Sequence, residues 1–272
     1  MKYFFAGVLL LLFTKCFANE EHQYSYETIM GNTIAWSCEG SGSPTIVLMA
    51  GMGLDAHSSF EAVYHKYQGK GTICMYDRAE IGASTFKEPK LRKMDELVDE
   101  LHQLKTKRGW ENLVLVPHSF GGLIARGYVS KYPADVKAVL FLDVNHEDWV
   151  PHLQKKMSAS DWDIMEFIIK WNSTTFHEDY YEAQEAARSF KFPNTMPITV
   201  ISRGIPLTKI RRNKMTYEGI NTFNEEHNKL QKSIAKLSKN SRHIVSKISP
   251  HEICSYDPWL VMDELKYLLE RI

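Results

Sequence analysis

The chain has 272 residues, 44% hydrophobic and 24% charged, enough for one sizeable buried core. Lysine plus arginine and aspartate plus glutamate number 33 each, so nothing in the charge balance suggests nucleic acid or an anionic membrane surface as a partner. Of the four cysteines, none shows metal-ligand spacing.

The first 18 residues read as an export signal: Lys2, an apolar run from Tyr3 to Phe13, and Cys16-Phe17-Ala18 as a small–bulky–small cleavage site. The run is shorter than the roughly 20 residues a membrane-spanning helix needs, although an uncleaved anchor is the alternative. Lys15 before Cys16 does not suit lipoprotein cleavage. The expectation is therefore a signal peptide over residues 1–18, a single domain over 19–272, and a periplasmic or extracellular location. Cys38, Cys74 and Cys254 then remain; an oxidising compartment permits a disulfide, and an odd count leaves one thiol over. Whether Cys38 and Cys74 are bridged or all three are buried thiols stays open.

Tyr24 to Met30 and Thr33 to Cys38 are predicted as a strand pair, with Gly31-Asn32 as the hairpin turn. Glu39 to Pro44 is a glycine-rich turn with no helix after it, so it does not read as a phosphate loop. Thr45–Met49 and Thr72–Tyr76 are continuous apolar runs, the pattern of strands buried on both faces. Asp95 to Lys107 is an amphipathic helix with Leu97, Val98, Leu101 and Leu104 on one face. Asn112–Val116 is a strand and Gly122–Val129 a helix, and Val136–Leu142 is the next strand. Residues 146 to about 195 interrupt the alternation with two or three helices carrying Trp149, Trp162, Phe167 and Trp171, and are expected to form a lid. Strand Pro197–Ser202, helix Thr222–Ser238, strand His243–Ile248 and a last helix capped by Asp257 with Pro258 at its first position complete the chain. Strands alternating with helices predict an α/β fold, a mostly parallel sheet covered on both faces.

The chemistry centres on Pro117-His118-Ser119-Phe120-Gly121, a serine on a sharp turn from strand to helix. Such a turn lifts the hydroxyl clear of the sheet. A serine hydroxyl is a weak nucleophile until a base takes its proton. Among 11 histidines, His251 follows the last strand directly and is the candidate base. His243 lies at a strand start, at the wrong edge, and His118 adjoins the serine but should diverge from it. The acid of a triad normally follows the Pro197–Ser202 strand, but Ser202-Arg203-Gly204-Ile205 offers none. Asp143, ending the preceding strand, is the favoured acid, with Glu218, Glu225 and Glu226 as fallbacks that need the 203–226 segment to fold back over the sheet. Backbone donors for an oxyanion are expected from Phe120 N–H and from Met52 N–H in Ala50-Gly51-Met52-Gly53.

With these motifs in order, and with Gly40-x-Gly42-Ser43-Pro44, Tyr76-Asp77-Arg78-Ala79, Gly82-x-Ser84 and Ser249-x-His251 beside them, the chain resembles the α/β-hydrolase superfamily over residues 24–272. Within it, the chain is similar to lid-bearing bacterial esterase-like members that place an aspartate after the sixth strand, which supports Asp143. Pro117 stands where the elbow commonly has glycine, Ala50 replaces a frequent histidine, and Glu80 replaces a glycine.

The expected function is a secreted serine hydrolase of carboxylic esters, acting on a small-molecule or lipid-like ester through Ser119, His251 and Asp143. No metal, organic cofactor or obligate protein partner is implied. A catalytically silent binding protein, or a peptidase or thioesterase on the same triad, are the alternatives.

Overall fold

The computed structural model describes residues 22–210 and 214–272, so the signal segment read over residues 1–18 lies outside the described residues, as do Arg211 and Arg212 of a basic cluster near Lys209 and Lys214. In chain order the elements are β1 (Ser25–Ile29), β2 (Asn32–Ser41), β3 (Thr45–Met49), α1 (Ala56–Tyr64), β4 (Gly71–Tyr76), α2 (Met94–Arg108), β5 (Leu113–Pro117), α3 (Gly121–Lys131) and β6 (Val136–Leu142). Then follow α4 (Trp149–Lys156), α5 (Ala159–Phe176), α6 (Tyr180–Ala187), β7 (Ile198–Arg203), α7 (Tyr217–Ile234), β8 (Ser241–Ser246), α8 (Ile253–Tyr256) and α9 (Pro258–Leu269).

One eight-stranded sheet runs in the order β1-β2-β4-β3-β5-β6-β7-β8. The two pairings made by β2 are antiparallel, and every pairing from β4–β3 to β7–β8 is parallel. The continuous apolar runs are explained by two cores, one on each face. Val47, Met49, Leu113, Leu115, Val139 and Phe141 pack with residues of α2 and α3 on one side. Ile46, Leu48, Val114, Val116, Leu140 and Leu142 pack with residues of α1 and α9 on the other. Alternate side chains of one strand point to opposite faces, so a strand between two helical layers is apolar at every position.

The hairpin turn falls one residue earlier than the sequence suggested. Ile29 pairs with Asn32, leaving Met30 and Gly31 as the two-residue loop, with φ of 51° and 83°. Two positive φ values in succession are the signature of the turn that matches strand twist. α1 was not anticipated, although Ala56, Phe60, Val63 and Tyr64 make a helical stripe and the Asp55 carboxylate caps Ser58 N–H. α7 begins at Tyr217, five residues before the expected start, and β8 ends at Ser246, two before the expected end. Asp257 occupies the N-cap position of α9, but its carboxylate accepts from Ser246 Oγ instead of capping the helix. Pro258 stands at the first position, as expected.

Cys38 and Cys74 face each other across the β2–β4 ladder and form a disulfide, while Cys254 is a buried thiol. The pairing left open by the sequence is set by register. Among the described residues no helix is long and apolar enough to cross a membrane.

Candidate active site

The parallel strands deliver the candidate residues to one edge. Met49 of β3 is in register with Pro117 of β5, so the Ala50–Gly53 loop and the His118–Ser119 turn leave the sheet side by side. Asp143 follows β6, Arg203 ends β7, and His251 lies beyond β8. Ligands in open parallel sheets bind at this carboxyl edge.

Ser119 has φ of +52°, in the left-handed region that side chains with a Cβ rarely adopt. Several contacts hold it there: His118 N–H donates to Met49 O at 2.9 Å, Ser119 N–H to Leu142 O at 3.2 Å, and Asn145 N–H to Ser119 O at 3.0 Å. Gly121 is required at the next step, because a Cβ there would lie 2.6 Å from Met49 O and 2.9 Å from Ala50 O. Pro117 is accommodated as the last residue of β5, where the ladder bond past it is made by His118 instead.

Asp143 is fully buried, also at positive φ (+44°), and accepts four hydrogen bonds. His251 Nδ1–H donates to Oδ2 at 2.6 Å and His227 Nε2–H to Oδ1 at 2.8 Å. Arg203 gives its backbone N–H to Oδ1 at 3.0 Å and its guanidinium to Oδ2 at 3.3 Å. Four donors fill the acceptor capacity of a carboxylate. Burial alone would raise its pKa, but His227, then His251, outweigh burial and hold the carboxyl well below its ordinary range. With Nδ1 committed to Asp143, the unprotonated nitrogen of a neutral His251 is Nε2.

The Ser119 hydroxyl does not hydrogen-bond to His251. It donates to Asn145 Oδ1 at 3.1 Å, and Asn145 Nδ2 in turn donates to Tyr180 OH. Catalytic hydrogen bonds are often unformed in ligand-free enzymes and tighten only with substrate. His118 diverges from the serine as expected: its Nε2–H donates to His251 O at 2.9 Å, and burial, then His251, push its pKa down to about 3. The ring is therefore a neutral strut beneath His251.

The Met52 loop is fixed from behind by Arg78, whose guanidinium donates to Ala50 O and Gly51 O at 2.7 Å each. Arg78 is paired in turn with Glu178 (2.5 Å), which precedes α6, and both are buried. Asp77 accepts Ala56 N–H at 2.7 Å and Ala83 N–H at 2.9 Å, joining the start of α1 to the same corner. Among the described residues neither Met52 N–H nor Phe120 N–H is taken by an intramolecular acceptor. Glu80 has a glycine-like φ of +72°, and its carboxylate meets His177 Nδ1.

The fallback acids lie elsewhere. Glu218 and Glu225 are exposed, and Glu226 is occupied by Lys156, Lys229 and His152. α7 does pack over the sheet edge, but it brings His227 rather than a glutamate to Asp143. His243 reaches Ser202 Oγ at 2.5 Å. Arg203, His227, Asn145 and Glu178 were not anticipated. Asn145, two residues beyond Asp143, was the most accessible of them; the others arrive by packing of distant segments.

The three helices between β6 and β7 contribute aromatic groups near the serine. Tyr180 stacks on Phe120 at 5.7 Å, and Trp149 meets Tyr180 at 6.1 Å and Phe223 at 5.4 Å between ring centroids.

A serine on a left-handed turn after the central strand, beside a carboxylate–histidine pair on an eight-stranded sheet of this order, defines the α/β-hydrolase class. The family model for the alpha/beta hydrolase fold matches residues 44–194, more than half of the chain, and the chain belongs to that family. It is 32% identical over 108 residues to the uncharacterized protein YbdG of Bacillus subtilis, covering 39% of this chain and 33% of that protein. It is 27% identical over 152 residues to a proline iminopeptidase of Heyndrickxia coagulans, covering 54% and 52%. The chain thus spans a third to about half of the length of these curated relatives. Among solved structures, alpha/beta hydrolase domain-containing protein 10 from mouse matches with a TM-score of 0.66 at 15% identity, over 92% of this chain and 99% of that one. A thermophilic esterase from Thermogutta terrifontis matches with a TM-score of 0.61 at 15% identity, over the same shares. At that identity the likeness establishes the fold, and relatives of the family include enzymes.

Proposed function

We propose that this protein is an exported serine hydrolase that cleaves carboxylic esters through Ser119, His251 and Asp143. The observation that carries the reading is the left-handed Ser119 at the same sheet edge as a His251–Asp143 hydrogen bond of 2.6 Å. As substrate enters, the Ser119 hydroxyl turns from Asn145 toward His251 Nε2. That nitrogen takes the proton as Oγ attacks the acyl carbon, and Asp143 stabilises the imidazolium that forms. The oxyanion accepts from Met52 N–H and Phe120 N–H, donors worth about 3 kcal/mol each in such sites. His251 then protonates the leaving alcohol oxygen, water attacks the acyl-enzyme with His251 as base, and the carboxylic acid departs. Trp149, Tyr180 and Phe223 favour an apolar acyl or alcohol group, with the three inserted helices acting as a lid. The leader-like residues 1–18 and the Cys38–Cys74 disulfide together support export.

The test is hydrolysis of p-nitrophenyl esters of graded acyl length, with proline p-nitroanilide alongside because two relatives carry the name proline iminopeptidase. Ester turnover that disappears in Ser119→Ala supports the reading. Cleavage of the anilide alone would favour a peptidase, and folded wild-type protein inactive on every substrate would favour a silent binder.

A further inference from the structure

Three imidazoles meet well away from Ser119 in the sequence and on other elements. His22 lies just before β1, His57 is in the first turn of α1, and His65 is its C-cap. His57 and His65 are eight residues apart, about 12 Å of helical rise, yet their ring centroids are only 6.0 Å apart. His22 completes a triangle with them, at 4.4 Å from His57 and 5.9 Å from His65. One ring nitrogen from each residue lies within 4.8 Å of those of the other two.

We propose that His22, His57 and His65 form a divalent transition-metal site, with Zn2+ held by three imidazoles and water completing a tetrahedron. Imidazole nitrogens suit Zn2+ and Cu2+, whereas magnesium and calcium take oxygen donors. Zn–N bonds of about 2.0–2.1 Å put tetrahedral ligand nitrogens about 3.4 Å apart, so small side-chain rotations close the site. His65 already carries the support typical of a metal-ligating histidine: its Nδ1 is 2.9 Å from a Glu39 carboxylate oxygen, which aims the other nitrogen elsewhere. His22 Nε2 is held by Ser37 Oγ at 2.9 Å. A bound ion would fasten the chain ahead of β1 to the helix that directly follows the Met52 loop.

The protein purified as the expressing cell processes it is dialysed against Zn2+ alone, and separately Cu2+ alone, and bound metal is counted by elemental analysis. The site predicts one equivalent per chain, with affinity falling tenfold or more in His22→Ala, His57→Ala and His65→Ala. A control, His152→Ala, should bind as wild type does. Zn2+ should raise the Tm of wild type and not that of His57→Ala, while the metal-free Tm of each variant reports whether it folds. Any alanine variant that does not is replaced by glutamine at the same position. Unchanged stoichiometry and affinity in a variant combining His22→Ala, His57→Ala and His65→Ala, or no stoichiometric binding by wild type, would overturn the proposal. Ester hydrolysis is not used in this test, so its outcome is independent of the proposed reaction.

Discussion

The two ends of the candidate triad are built differently. At the acid end, Asp143 is fully buried and takes four donors from three residues, two of them brought from β7 and α7. At the serine end, the Ser119 backbone is locked, but its hydroxyl makes one bond, to Asn145, which the proposed reaction requires it to leave. Rigidity is thus concentrated where the imidazole is oriented, and freedom is left in one side-chain rotation. A carboxylate with all its acceptor sites filled cannot drift, whereas a hydroxyl turns about a single bond at little cost.

The largest expected effect falls on the rigid end. Asp143→Asn should leave the fold intact and lower kcat by about 10⁴-fold in steady-state ester kinetics, because the amide supports the wrong imidazole tautomer. A loss under tenfold would show that His251 is oriented by something else. Next is the clamp behind the Met52 loop. Glu178→Ala leaves Arg78 buried without its partner and should cost about 3–5 kcal/mol in urea unfolding. The smallest catalytic effect belongs to the mobile end. Asn145→Ala frees the hydroxyl from a competing bond worth about 1 kcal/mol, so labelling of Ser119 by a fluorophosphonate should speed up by several-fold; a slower reaction would make Asn145 a partner of the nucleophile instead of its restraint.

A pH titration reports on the His118 strut beneath His251. Folded His118 stays neutral down to about 3, whereas the unfolded ring protonates near 6.5, so its contribution is complete above 6.5 and is lost as pH falls toward 3. The slope is about 1.4 kcal/mol per pH unit. Urea midpoints measured across that window should flatten by one proton in His118→Gln.

Much of this was legible in the sequence for a physical reason. Ser119 and Asp143 each come just after a buried apolar strand and His251 comes after the last strand, and parallel strands end at a common edge, so position along the chain indicated that the three would lie together. Arg203 and His227 were not legible as partners of Asp143: His227 lies 84 residues away and arrives only because α7 packs over the edge. Glu178 reaches Arg78 across 100 residues. The Cys38–Cys74 disulfide depends on the register of β2 against β4, which composition does not encode. α1 had a readable stripe and cap, and its omission also hid how His57 and His65 could meet.

The most direct test of the account is to treat the intact protein with a fluorophosphonate and locate the adduct by peptide mass analysis. The account predicts a single adduct on Ser119, formed far more slowly in Asp143→Asn and absent in Ser119→Ala. A folded wild-type protein that takes no label, or takes it at another residue, would contradict it.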